Sequence, residues 1–109
     1  MKVKEVKAPK KFITLGGKEY EINFSMNTFA ELELRFGSIK EAMEKLEGGS
    51  IIAVRFMIAQ GISDKHPEMT EKMVGSLISV PEIPSLVEQL GELMNDDLPN
   101  KDDEESPND

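Results

Sequence analysis

From Lys11 to Phe24, apolar and polar side chains alternate around a single interruption, Gly16-Gly17. Two glycines accept the positive φ angles of a two-residue turn, so the run predicts a β-hairpin in which Leu15 faces Lys18, Ile13 faces Tyr20 and Lys11 faces Ile22. The period of two then places Ile13, Leu15, Tyr20, Ile22 and Phe24 on one face. Thr14, Glu19, Glu21 and Asn23 take the other, where Phe12 is the apolar exception. An isolated hairpin is marginal in water. Its apolar face must be covered by helices later in the chain, or its edges extended by another copy of the chain.

From Ser25 the period lengthens to that of a helix. Phe29, Leu32 and Phe36 recur at i, i+3 and i+7, with Ala30 and Leu34 on the opposite side. Thr28 and Glu31 are spaced as a capping box, and Gly37 suits the stop. A second helix repeats the grammar: Ser38 and Glu41 as the box, Ile39, Met43 and Leu46 as the stripe, Gly48-Gly49 as the end. The third starts after Ser50 and carries two apolar stripes, Ile51, Val54 and Ile58 on one and Ile52, Phe56 and Ala59 on the other. A helix apolar nearly all round is a central one, so Ile51, Val54 and Ile58 are assigned to the core. After a polar loop broken by Pro67, Thr70 caps a short helix bearing Met73, Val74, Leu77 and Ile78. "VPEIPS" interrupts it, because proline removes a backbone donor. Pro84 fits the first turn of a last helix, with Ile83, Leu86, Val87, Leu90 and Met94 as its stripe.

Charge changes the picture at both ends. Residues 1–11 read as a solvated, lysine-rich arm, and residues 95–109 hold seven carboxylates against Lys101. Such a tail buries too little surface to offset its ordering entropy and is expected to be disordered. Residues 12–94 are then one domain of a size that folds alone with a thin margin. With 13 basic and 21 acidic side chains, the net charge is −8, which argues against a protein that lives by phosphate contacts. Nucleic acid is therefore not an expected partner. The chain has no cysteine, hence neither a disulfide framework nor a thiolate metal site. No run is long and apolar enough to span a bilayer, and the opening residues lack the apolar stretch of a signal peptide, so a cytoplasmic protein without a membrane partner is expected.

Chemistry-bearing constellations are sparse. Asp64, His66 and Glu68 offer potential metal ligands, but one histidine in a polar loop reads as an ordinary turn, and no metal or cofactor is assigned. The serines share that one histidine as a conventional base, and no phosphate-binding glycine motif is present. An enzyme is not expected. Among the seven methionines, Met43, Met73 and Met94 fall on apolar stripes, while Met57 and Met69 are candidates for exposed, adaptable contacts. Arg55, between two apolar stripes, must snorkel to solvent, meet a carboxylate of its own chain or face a partner.

Taken in order, "ITLGGKEYEINFSMNTFAELELRFG", a Ser-capped helix, "SIIAVRFMIAQGI", an acidic loop, "TEKMVGSLI" and a last leucine-bearing helix resemble the small tail assembly chaperones of long-tailed bacteriophages. The likeness spans residues 12–94, and such genes also occur in prophages and gene-transfer-agent clusters. It implies a protein of viral morphogenesis that binds and solubilises the tape-measure protein in the host cytoplasm and helps recruit tail-tube subunits around it. It also implies absence from the mature virion, and in many members a longer frameshifted form. Two other classes stay open: a structural tail or head-tail connector subunit, and a regulatory adaptor that binds a host protein through the acidic tail.

The expectation is an α+β domain, a hairpin packed on four or five short helices with disordered ends, that forms homo-oligomers. Leu34, Arg55 and Met57 are the candidate partner-binding residues, and Phe12 the candidate for self-association.

Overall fold

The computed structural model describes residues 10–97. Their order is β1 (Lys11–Leu15), β2 (Lys18–Ile22), α1 (Met26–Phe36), α2 (Ile39–Glu47), α3 (Ile51–Ile62), α4 (Glu71–Ser76), a 3-10 turn at Val80–Glu82, and α5 (Ile83–Asp97). This is the α+β arrangement of a hairpin on five helices. Gly16 and Gly17 take φ of 58° and 84°, which lets the strands close on a two-residue turn. The antiparallel register pairs Leu15 with Lys18, Ile13 with Tyr20 and Lys11 with Ile22, as the alternation predicts. All five residues of the predicted apolar face are buried.

That face is covered by α3. The backbone N–H of Asn23, just past β2, donates to the Gly61 carbonyl at 2.8 Å, tying the strand end to the helix. Gly61 makes this approach possible, because a Cβ there would lie 2.7 Å from Ile22 Cγ1 and 2.9 Å from Phe24 Cε1. The remaining sides of α3 pack on α1, α2, α4 and α5. Its residues from Ala53 to Ala59 are therefore buried, with Arg55 the half-exposed exception. Leu32, Leu46, Val74, Leu90 and Met94 close the same core from the other helices.

Several expectations are corrected. The N-cap of α1 is Ser25, whose hydroxyl accepts from the Thr28 N–H, while the Thr28 hydroxyl accepts from the Ser25 N–H. The box thus lies one turn earlier than Thr28–Glu31, because the helix starts at Met26 and Thr28 turns inward, 5% exposed. Ser25→Ala is expected to lower stability by about 1 kcal/mol, and Glu31→Ala to leave it unchanged. Equal losses in urea titrations would contradict this assignment.

Ile51 is not a core residue. Like Ile52 it is 56% exposed, since the first turn of α3 projects past the helices that cover the rest. Met73 is exposed as well, and α4 presents Val74 alone to the core. The last helix continues one turn beyond the expected boundary at Met94, to Asp97, and Lys11 Nζ reaches Asp96 Oδ2 at 3.5 Å. Residues 1–9 and 98–109, which hold nearly all of the expected arm and most of the acidic tail, lie outside the described residues.

Candidate functional site

Arg55 leaves α3 on the same side as Ile51 and Val54, where α4 passes by. Its Nη2 stands 3.6 Å from Glu71 Oε1, and the other oxygen of that carboxylate accepts from Arg35 Nη2 at 3.0 Å. The Arg35 guanidinium also lies over the Phe56 ring, 4.0 Å from its centroid. Two arginines from α1 and α3 thus share one carboxylate from α4, and Arg35 has the shorter contact. Arg55 Nε is buried and has no hydrogen-bond partner. Of the three alternatives for this side chain, it meets a carboxylate of its own chain, and incompletely.

Beside Arg55 opens a cleft of about 250 Å³. One wall is Ile51, Val54 and Arg55 of α3, spaced i, i+3, i+4, and the facing wall is Lys72, Gly75 and Ser76 of α4 with the same spacing. The link from Ile78 to Ile83 completes the rim, where Val80 is 69% exposed. Gly75 leaves room for the arginine side chain: a Cβ there would stand 3.1 Å from Arg55 Cδ. Lys72 has no ion pair among the described residues. In a chain of net charge −8, the cluster of Arg35, Arg55 and Lys72 around Glu71 is a locally cationic patch next to apolar surface.

The other sequence-predicted residues are dispersed. Leu34, 79% exposed, lies on the outer side of α1 with Met26, and neither lines the cleft. Met57 is fully buried, which removes it as a contact residue in this structure, and Met69 is 9% exposed. The suitability of methionine for adaptable surfaces makes both candidates for exposed contacts. Met57 is inside because the middle of α3 is covered by its neighbours, and Met69 because the Met69 N–H to His66 carbonyl bond folds the loop back. Phe12 is half exposed and lines a second, more open cleft with Lys11, Gln89, Glu92, Leu93 and Asp96, so α5 flanks the start of β1. His66 packs edge-on against Tyr20, 5.0 Å between centroids, with Nδ1 3.8 Å from Glu68. No three metal-ligating side chains gather among the described residues, and no helix there is long and apolar enough to cross a membrane.

Pattern reading missed Glu71, Lys72 and Val80 as companions of Arg55. The available signal was weak: small residues at Gly75-Ser76 and a proline-stiffened link at 80–84. Compared with family models, curated proteins and solved structures, the chain has no match.

Proposed function

We propose that this chain is a non-enzymatic phage tail assembly chaperone. It binds the tape-measure protein in the host cytoplasm, keeps it soluble while tail-tube subunits are recruited, self-associates, and is left out of the finished virion. The observation that carries the reading is apolar surface left over after the core is complete: Leu34, Val80 and Met26 are 79%, 69% and 68% exposed on the helical part of the domain. A long, helical, aggregation-prone client is held by such surface through many weak contacts, multiplied by copies along its length. The order of elements, from the Gly-Gly hairpin through the Ser50-capped apolar helix to α5, is also the order on which the resemblance rests.

Co-expression with the tape-measure protein encoded in the same phage or prophage tests the proposal. The expected result is transfer of the tape-measure protein from the pellet to the soluble fraction, where it co-purifies with this chain. An unchanged pellet would sink it. Stoichiometric copies in purified virions would instead indicate a structural subunit.

A further inference from the structure

The cleft between α3 and α4, about 250 Å³ in volume, lies at the small end of the roughly 300–1,000 Å³ usual for small-molecule pockets. It is shaped for side chains presented by another helix. Its two walls are helix faces spaced i, i+3, i+4, the small residues Ser76 and Ser79 on its lining leave room for close approach, and Ile51 and Val80 offer exposed apolar edges. Apolar surface alone does not say what would cover it. The charges do.

Arg55 has a buried Nε without a partner and a long contact to a carboxylate that Arg35 engages more closely, while Lys72 has no ion pair among the described residues. The lining therefore contains two cations; at its edge Glu71 is shared between Arg55 and Arg35 and Glu82 accepts from the Ser79 N–H, so the outer nitrogens of Arg55 keep donor capacity in a planar fork that matches a carboxylate. An occupant with a carboxylate next to an apolar ridge would supply both complements at once.

We propose that this cleft is a docking groove for an amphipathic helix of a partner that carries Asp or Glu beside its apolar stripe. The apolar residues of that helix enter between Ile51 and Val80, and its carboxylate meets the outer nitrogens of Arg55 together with Lys72. The inference rests on the function proposed above, under which the partner is the tape-measure client. The chain's own acidic residues 102–105 are a poorer occupant, because they bring carboxylates without an apolar stripe.

The test uses the full chain co-expressed with the tape-measure protein and measures soluble client retained per chain. Lys72→Glu and Val80→Glu change exposed side chains, so thermal melts should match the parent. Each is expected to weaken client retention about tenfold, whereas Val80→Ile retains the client as the parent does. Raising the salt concentration should weaken retention by the parent and narrow the gap to Lys72→Glu. Parent-like retention by both glutamate variants overturns the groove while leaving the chaperone reading intact. A parent chain that retains no client overturns both. A change in oligomer size of Lys72→Glu alone, with client retention untouched, would assign the cleft to a second copy and also overturn the proposal.

Discussion

Gly61→Val is expected to destabilise the domain by about 3 kcal/mol or more, the upper end of what overpacking costs. The added atoms enter where Ile22 and Phe24 already touch the helix, at 2.7–2.9 Å from the first new carbon. Neither neighbour can retreat, because both lie on the buried face of the hairpin. Replacing glycine by alanine in a helix ordinarily stabilises by about 1 kcal/mol, and by valine somewhat less, so the sign here is decided by crowding rather than propensity. Gly91 on α5 is the control: a Cβ there meets nothing within 4 Å, and Gly91→Ala is expected to gain about 0.5–1 kcal/mol. Thermal melts of the pair should move in opposite directions, with Gly61→Val falling by at least about 10 °C. A Gly61 variant as stable as the parent would mean that the hairpin does not lie on α3 as described.

Met57→Ala is expected to cost about 2–5 kcal/mol, the usual range for emptying a fully buried site. The residue is fully enclosed on the central helix, and the surrounding elements on all sides leave little room to collapse into the cavity. Urea denaturation reads this directly. At a temperature where the variant remains folded, its retention of tape-measure protein should equal the parent's, since Met57 reaches no surface. A variant of parental stability with weakened retention would reverse both statements and restore Met57 as a contact residue.

The contrast between these two positions shows which parts of the molecule could be read from the chain. The hairpin was legible to the residue, because alternation and the Gly-Gly turn are local signals that set register without reference to anything distant. Four helix starts were marked by Ser or Thr, and three of those assignments, Ser38, Ser50 and Thr70, hold as side-chain caps. At α1 two overlapping spacings competed, and burial of Thr28 decided for Ser25. The end of α3 was harder. Periodicity says that Ile51 and Ile58 share a stripe, but not that the covering layer stops short of the first turn. The cleft was harder again. Arg55 stood out as a charge in an apolar run, yet its partner Glu71 is 16 residues away and the rival for that carboxylate, Arg35, is on a third helix. Those distances exist only after α1, α3 and α4 have been packed, and no local pattern carries them.

Helix α4 has six residues and a single buried side chain, Val74. That is well below the length at which a helix stands on its own in water. Its hold on the molecule comes from Val74, from the Thr70 cap, and from the two arginines that reach Glu71 from α1 and α3. One wall of the cleft therefore belongs to the helix with the fewest buried side chains and the other to the buried central helix, so amide hydrogen exchange is expected to be faster in α4 than in α3. The width of the cleft is then expected to follow the shared Glu71 carboxylate, which joins the short wall to α1 and α3.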